Sequence, residues 1–522
     1  MSKITELLLT PRQAADNETV AVEAAASLGV KRSSVSCMRI VRRSIDARRR
    51  GDVRINLGVE LWIDDEPAPA EETRFEYDDV SGNTEIVVVG SGPAGLFAAL
   101  ELIELGYKPI VLERGKEVSA RKKDIAAVNR NEPVDTDSNY AFGEGGAGTY
   151  SDGKLFTRSK KRGDNRKALE VFRFHGADPD ILYDAHPHIG SDRLPGIIKA
   201  MRETVEKAGG RVLFETKVTG FAVENGRTTG VTDQRGNMIE AAAVVLATGH
   251  SARDIYETLH SSGILVEAKP FAAGVRVEHP QELIDRIQYK TGQRDEHLPP
   301  ASYTLAVQSG GRGVYTFCMC PGGFIVPALT APGECVVNGM SPAGRNNAYA
   351  NSGVVTQIKE EDFADLAPHF GPLAGLKFQQ QLEMMGFAQA GPAQIAPAQR
   401  LDQFVTGSAA SDILPTSYHP GLSPSLMNKW LPRFISKTLR DGIRQFDNKM
   451  KGYITDRAQV IGIESRTSSP VRIPRDRESL MHPQVEGLFP AGEGAGYAGG
   501  IISSAVDGIQ AAKAVARYLD KR

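Results

Sequence analysis

The chain has 522 residues with 62 Lys and Arg against 64 Asp and Glu, and this near balance argues against a globally basic nucleic-acid binder. A hydrophobic content of 41% excludes a disordered chain, and four cysteines exclude a disulfide-stapled secreted scaffold. Because no apolar run approaches the roughly 18 residues of a membrane helix, we expect a cytoplasmic protein that makes no membrane contact.

The N-terminal residues predict a small α/β unit. Three strands and one alanine-rich helix are expected, over residues 4–10, 35–44, 53–63 and 18–28. With the acidic, proline-containing linker that follows, we assign residues 1–80 to a first domain. Residues 31–54 carry a local charge of +7 and the stretch after them is acidic. The two blocks either neutralise each other or leave a site for RNA or another anionic partner.

A βαβ unit follows, and it contains a dinucleotide-binding fingerprint. A buried strand runs into Gly90-Ser91-Gly92-Pro93-Ala94-Gly95, a helix follows, and the next strand ends at Glu113. Gly90 allows the tight turn, Gly92 lets a pyrophosphate approach the backbone, and Gly95 lets the helix pack on the sheet. The free N–H groups of the helix start bind phosphates, and Glu113 accepts hydrogen bonds from a ribose. Glu113 would repel a 2′-phosphate, despite its neighbour Arg114.

Later segments extend the same sheet. An apolar strand ends at Thr248-Gly249, and a strand near the C-terminus enters the glycine-rich loop that contains Gly492-Glu493. We therefore predict an α/β fold: a Rossmann-like domain assembled from discontinuous segments (81–255 and 480–522), interrupted by a large α+β insertion over 256–479. In that insertion we expect strands over 315–319 and 334–338 and helices over 351–358, 372–385 and 427–446.

These motifs carry a family resemblance. The segments ending in Thr248-Gly249 and Gly492-Glu493 resemble signature stretches of the glutathione-reductase-type flavoproteins, which have two dinucleotide-binding domains. Residues 143–155, 467–472 and 492–500 further resemble a family of bacterial FAD-dependent dehydrogenases with a small N-terminal domain. The resemblance covers essentially the whole chain and implies FAD as cofactor. It supplies no substrate.

The resemblance also implies positions around FAD. Glu493 would bond the ribityl chain, and the backbone near Val218 would meet the adenine. The last helix starts after Gly499-Gly500, so its first N–H groups, from Ile501 onward, should face the pyrimidine end of the flavin. The other side of the flavin or its phosphates would be lined by backbone donors and two hydroxyls, from Gly146, Gly148, Thr149 and Ser151.

Candidates for the chemistry are fewer. Lys154 either lies near the flavin or is solvated. His186 and His188 suit a general acid–base pair, lack further ligands for a metal site, and could equally be structural. Arg466 and Arg472 could bind a carboxylate or phosphate of a substrate, or be ion-paired. We select His188, Arg472 and Lys154 as catalytic candidates and predict no metal.

Two cysteines form a separate motif, Cys318-Met319-Cys320. On a regular strand their Cα atoms would be about 6.6 Å apart, which is near the upper limit for a disulfide. A dithiol relay there would be strained, and inert buried thiols are the alternative.

The sequence thus predicts an FAD-dependent oxidoreductase that transfers hydride to or from a small-molecule substrate. The alternative is a flavoprotein that modifies tRNA through the basic stretch. The insertion contains no second fingerprint, because the G-x-G-x-x-G spacing fails at Ser341 in residues 339–344. We therefore expect NAD(P)H to reduce the flavin slowly or not at all, with the electron donor and acceptor unidentified.

Overall fold

The computed structural model describes residues 2–64, 74–157, 163–408 and 412–521. Most of the predicted acidic linker, residues 65–73, lies outside them. Three sheets organise the chain, with three, five and seven strands.

The N-terminal unit is an antiparallel sheet in the order β1-β3-β2, covered by two helices. Its elements are β1 Lys3–Leu9, α1 Pro11–Ala15, α2 Asn17–Ser27, β2 Val35–Asp46 and β3 Arg54–Ile63. Alternation along β1 buries Leu7 and Leu9 and leaves Ile4 and Leu8 exposed. The buried face belongs to a hydrophobic cluster that continues into the seven-stranded sheet.

A parallel five-stranded sheet, in the order β22-β10-β4-β5-β6, is built from distant parts of the chain. Its strands are β4 Glu85–Val89, β5 Lys108–Leu112, β6 Arg211–Leu213, β10 Val244–Leu246 and β22 Leu488–Pro490. The near-continuous burial of β4, β5, β10 and β22 is typical of parallel strands covered on both faces, whereas the edge strand β6 is only partly buried. The fold is therefore the predicted α/β class, with a Rossmann-like sheet assembled from discontinuous segments.

Helices and a small antiparallel sheet, β7-β8-β9, accompany these strands. The helices are α3 Pro93–Glu104, α4 Val118–Asn129, α5 Asn165–Phe174, α6 Leu194–Lys207, α7 Arg253–Ser261 and α14 Ile501–Leu519. The small sheet consists of β7 Val218–Glu224, β8 Arg227–Asp233 and β9 Met238–Glu240. The first and last of these six helices, α3 and α14, pack against each other.

The insertion contains a seven-stranded sheet in the order β13-β14-β17-β12-β20-β18-β19. Its strands are β12 Phe271–Pro280, β13 Ala306–Ser309, β14 Arg312–Cys320, β17 Tyr349–Ile358, β18 Ala396–Arg400, β19 Leu422–Pro424 and β20 Gln459–Glu464. Two short pairs complete the strands: β11 Glu267–Ala268 with β21 Val471–Arg472, and β15 Phe324–Pro327 with β16 Val337–Met340. The helices are α8 Gln281–Tyr289, α9 Ala367–Phe370, α10 Ala374–Ala390, α11 Leu401–Thr406, α12 Met427–Trp430 and α13 Arg433–Lys449.

Among the predictions for the insertion, one was wrong and two were wrong in part. Residues 351–358 form the central strand β17, not a helix, because both its edges pair with neighbours and its β-branched residues suit a strand. The helix predicted over 427–446 is broken between α12 and α13, at Pro432, which disfavours helical geometry in the preceding residue. The strand predicted over 334–338 begins only at Val337.

Among the helices of the described ranges, none combines the length and apolar character that a membrane span requires.

Candidate functional site

Three glycines open the first βα unit, and the structure gives each a different surrounding. A Cβ on Gly90 would lie 2.5 Å from the Ala247 carbonyl oxygen, and one on Gly95 would lie 1.8 Å from the Gly90 oxygen. A Cβ on Gly92 would meet nothing nearer than 3.9 Å. Gly90 and Gly95 are therefore required by packing, whereas Gly92 faces open space at the start of α3, whose first turn no side chain caps.

That open space continues into a cavity, which we call the glycine cavity. Of the predicted cofactor residues, those that line it are Gly90, Gly92, Pro93, Ala94, Glu113, Arg114, Gly146, Gly148, Ser151, Val218, Thr248, Gly249, Gly492, Glu493, Gly500 and Ile501. The structure thus brings together segments that are more than 400 residues apart in the chain. Gly95, Thr149 and Gly499 are not among the lining residues, and the Thr149 hydroxyl donates to the Glu144 carbonyl at 2.8 Å.

Glu113 lies at one end of the glycine cavity with its carboxylate already bonded. One oxygen accepts from the backbone N–H and hydroxyl of Ser91, at 3.0 and 2.7 Å. The other accepts from the N–H groups of Gly115 and Gly143, at 2.9 and 3.0 Å. These four donors use the usual acceptor positions of a carboxylate, so Glu113 ties three loops together. Its contact with a ribose remains a prediction.

The neighbouring Arg114 is also engaged within the protein. Its guanidinium lies 2.5 Å from the Asp254 carboxylate and 4.4 Å from the centre of the Phe142 ring. The ion pair accounts for its charge without a cofactor phosphate.

The opposite end of the glycine cavity holds Glu493 and the uncapped start of α14. One oxygen of Glu493 accepts from the Gly500 N–H at 2.5 Å, and the other lies 3.7 Å from Nε2 of His250. Burial raises the pKa of Glu493. Because the oxygen near His250 accepts no hydrogen bond from the described residues, Glu493 retains an acceptor for a ligand.

His250 was missed by the sequence analysis. Burial, together with Arg466, Arg253 and Lys269, lowers its pKa to about 4, so the imidazole is neutral at neutral pH. Its Nδ1 is buried and has no hydrogen-bond partner within the described part of the chain. It directly follows the Thr248-Gly249 motif, and that position was the available signal. An orphaned polar atom at a cavity wall indicates a ligand atom there.

A second and larger space adjoins the glycine cavity; we call it the cationic cleft. Its volume is about 1190 Å³, and it lies between the N-terminal unit, two loops of the five-stranded unit and the insertion. Its charged lining residues are Arg48, Lys154, Lys290, Arg345, Lys449, Lys451 and Asp46. The glycine cavity and the cationic cleft share two lining residues, Lys154 and Cys318.

A buried ionic cluster forms the floor where the two spaces meet. Asp152, only 1% exposed, lies 3.0 Å from Lys154 Nζ and 2.8 Å from the Arg345 guanidinium. Burial alone would raise the pKa of Asp152, but the two cations hold it well below its usual range. Burial would likewise lower the pKa of Lys154, but Asp152 and two nearby thiols raise it. Lys154 is therefore a fixed cation at the junction.

His188 lies beside this cluster but lines neither space. Its backbone forms a bridge to Lys154, and its Nε2 lies 3.2 Å from the Ala343 carbonyl oxygen, so Nε2 carries the proton. Burial and Arg345 lower its pKa. His186, in contrast, is exposed and lines the cationic cleft. The two imidazoles therefore do not act as a pair at one site.

Arg472 is separated from the other two catalytic candidates. It lies in β21, 3.8 Å from the Glu267 carboxylate and 5.7 Å from the Tyr497 ring centre, and lines neither space. Arg466 is buried in an ionic cluster with Glu334 and Glu383. The structure therefore groups Lys154 with His188 but places neither arginine beside them.

Comparison with known proteins identifies the family. Family models match as "FAD binding domain" over residues 83–128, "FAD dependent oxidoreductase" over 182–317, and "FAD-dependent protein, C-terminal domain-like" over 270–467. A domain of unknown function matches residues 1–62. An uncharacterized protein of Clostridium beijerinckii is 40% identical over 514 residues, covering 94% of this chain and 95% of the relative. The chain belongs to this FAD-dependent oxidoreductase family.

More distant similarities cover less. Protein FixC of Escherichia coli is 26% identical over 237 residues, which cover 44% of this chain and 51% of FixC. A solved geranylgeranyl bacteriochlorophyll reductase-like protein of Thermoplasma acidophilum is 14% identical, with a TM-score of 0.36. That comparison covers 84% of this chain and 80% of the solved one.

FAD is the cofactor, and the residues present fit it. Gly92 leaves a cradle that a Cβ would fill, and two uncapped helix starts, of α3 and α14, face the glycine cavity. At the other end, a Glu493 oxygen and the unpartnered His250 Nδ1 are polar atoms that a ligand can meet. When bound, FAD supplies two-electron exchange, and the protein supplies binding and electrostatics.

Proposed function

We propose that this FAD-dependent enzyme is an oxidoreductase whose small-molecule substrate is an anion bound in the cationic cleft. The observation that carries the proposal is the shared wall: Lys154 and Cys318 line both the glycine cavity and the cationic cleft. A molecule in the cleft therefore contacts the same side chains that line the cofactor cavity.

The charge of the cationic cleft supports an anionic substrate. Six cationic side chains line it against one carboxylate, Asp46, and that carboxylate is already bound by Arg48 at 2.6 Å. Lys290 and Lys449 donate to backbone carbonyls, of Arg48 and Ala306, so these contacts leave their charges unbalanced. Fixed cations around a concave site raise the local concentration of anions.

The residues at the junction have separate tasks in this proposal. Asp152 keeps Lys154 protonated, so Lys154 Nζ orients the anionic group and does not act as a base. Arg345 donates to both oxygens of Asp152, which holds it in place to offer a second donor to the same group. His186 is the exposed imidazole of the cleft and is positioned to exchange a proton with the substrate.

We do not propose the RNA alternative. Six arginines of residues 31–54 form ion pairs with carboxylates: Arg32, Arg39, Arg42, Arg43, Arg48 and Arg54. The basic stretch is therefore largely neutralised in the folded chain. Arg43 also joins the N-terminal unit to Asp184 of the five-stranded unit.

The cytoplasmic location and the slow reaction with NAD(P)H remain predictions.

The test is anaerobic reduction of the FAD-loaded protein by a panel of small molecules. The panel contains NADH, NADPH, carboxylates, phosphate esters and their uncharged amide or alcohol analogues, followed by absorbance near about 450 nm. We expect bleaching by an anionic compound and none by its uncharged analogue. Bleaching by neutral compounds alone, or by every member at one rate, would overturn the anionic-substrate proposal.

A further inference from the structure

The site description leaves one group of side chains without a role. Cys318 and Cys320 lie at the end of β14, where the glycine cavity and the cationic cleft meet. Cys320 is fully buried, and Cys318 is partly exposed and lines both spaces. Both are free thiols in the structure.

The backbone brings the two cysteines closer than a regular strand would. Between β14 and β17, Phe317 pairs with Gly353 and Cys320 pairs with Asn351, so three steps on β14 match two on β17. Cys318 lies inside this bulge with φ of +44°, a conformation that a side chain rarely adopts. Three steps along β14 therefore cover the length of two steps along a regular strand. The Cα separation of about 6.6 Å expected for a regular strand does not apply to these two cysteines.

Hydrogen bonds hold the bulge that contains the two cysteines. The Cys320 Sγ donates to the Cys318 carbonyl oxygen at 3.3 Å. That same carbonyl accepts from the Arg276 guanidinium at 2.6 Å, which holds the bulge in place. A bulge fixed by a buried arginine beside a cofactor cavity is a built feature and not a flexible end.

Charged groups around the pair favour one thiolate. Lys154 Nζ lies 3.8 Å from the Cys320 Sγ, and the Arg276 guanidinium lies 3.9 Å from it. The carboxylates that face the pair are Glu464, bound to Arg276 at 2.7 Å, and Asp152, bound to Lys154 and Arg345. The hydrogen bond from Cys320 and the two cations lower the pKa of Cys318, while the hydrogen bond and burial raise the pKa of Cys320.

We propose that Cys318 and Cys320 are a redox-active pair that cycles between a thiolate–thiol state and a disulfide, exchanging electrons with the flavin. On oxidation one S–S bond forms and the S–H bond of Cys320 breaks. The pair gives up two electrons and one proton, the equivalent of a hydride. The acceptor is an oxidised flavin in the glycine cavity, and the reverse reaction restores the pair.

This activity goes beyond the proposed function, because it gives the protein a second two-electron store besides the flavin. A compound in the cationic cleft meets the Cys318 sulfur at the same wall where it meets Lys154. The two thiols differ in access, so Cys318 is the sulfur that exchanges with compounds in the cleft and Cys320 is the internal partner.

The experiment counts electrons and thiols in the FAD-loaded protein. Anaerobic dithionite titration should consume about four electrons per FAD in the wild type, two for the flavin and two for the disulfide. It should consume about two in Cys318→Ser and in Cys320→Ser. Cys37→Ser, the same change on β2 of the N-terminal unit, should leave the wild-type value.

The thiol count is independent of flavin chemistry. After ferricyanide treatment and denaturation, Ellman's reagent should find two fewer thiols than in the fully reduced chain, which has four. Peptide mapping should locate the lost pair at Cys318 and Cys320. The wild-type result decides the matter even if a serine variant fails to fold.

Two electrons per FAD with all four thiols free after oxidation would overturn the redox pair and leave the proposed oxidoreductase function intact. Failure of the proposed function would show instead as a flavin that no small molecule reduces, while the thiol count still changed.

Discussion

The glycine cavity and the cationic cleft are neighbours that share a wall, but they are built in different ways. The glycine cavity is lined by short segments, several of them glycine-rich loops, each contiguous in sequence. The cleft is lined by long side chains from three units, from Ile45 to Lys451. A site made of backbone geometry needs particular residues at particular spacings, whereas a side-chain site needs only charge and reach. The first therefore leaves a motif in the sequence and the second does not.

The largest expected effect tests the backbone-built site. Gly92→Glu should abolish FAD retention, because the new side chain fills the open cradle at the start of α3 and repels the pyrophosphate. The flavin content of the purified protein, read from its absorbance, measures this.

The matched control is Gly196→Glu, which adds the same side chain to an exposed, open position on α6. Unchanged FAD content in Gly92→Glu, or equal loss in both variants, would break the distinction between the two kinds of site.

A second prediction concerns the shared floor. Asp152→Asn should lower the free energy of unfolding by about 3 kcal/mol, because Lys154 and Arg345 lose their buried counter-charge. Urea unfolding of the FAD-loaded protein measures it. Glu170→Gln breaks the surface pair with Arg166 and should cost only about 0.3–0.5 kcal/mol. An equal loss of unfolding free energy in Asp152→Asn and Glu170→Gln would contradict the prediction that the Asp152 ion pairs contribute more than a surface pair.

The third prediction is that folding stability depends on pH because of His250. Its folded pKa of about 4 lies below the usual value of about 6.5 for an unfolded histidine, so the unfolded chain binds the extra proton first. Stability should therefore be complete above about pH 6.5 and fall as the pH drops towards 4. His250 alone contributes a loss of about 2 kcal/mol between pH 6.5 and pH 5.

His279, whose pKa is likewise lowered to about 4 by burial, should contribute a similar loss. His250→Gln should accordingly remove about half of the loss that these two histidines produce, and His260→Gln, on the exposed face of α7, is the matched control variant. Urea unfolding at a series of pH values measures the slopes. A slope that the His250 change leaves untouched would contradict the buried, neutral imidazole.

The smallest expected effect concerns the cationic cleft, which is lined by side chains. Lys290→Glu with Lys449→Glu should lower kcat/KM for an anionic substrate by about tenfold, through weaker attraction into the cleft. FAD content should not change. Lys429→Glu with Lys437→Glu reverses the same charge on exposed parts of α12 and α13 outside the cleft, and should have no effect. An equal loss in both double variants would assign the effect to net charge alone.

The sequence predicted the βαβ unit, the discontinuous sheet and the cofactor because those features depend on local spacing. It misassigned residues 351–358, where pairing on both edges decided the structure. It also missed Asp152, Arg345 and His250, whose roles arise from contacts with distant segments. Cys318 and Cys320 were judged by regular strand spacing, and the bulge that changes it depends on register with β17. Arg472 shows the converse: a residue in a family motif that lies away from the junction.

The central claim is that Lys154 places a fixed positive charge where the glycine cavity and the cationic cleft meet. The reduction potential of bound FAD in Lys154→Met, compared with the wild type, tests it most directly. A nearby cation stabilises the reduced, more negative flavin, so its removal should shift the potential to more negative values by at least about 30 mV, equivalent to a factor of about ten in the two-electron equilibrium. An unchanged potential, in a folded variant with a full complement of FAD, would contradict the account.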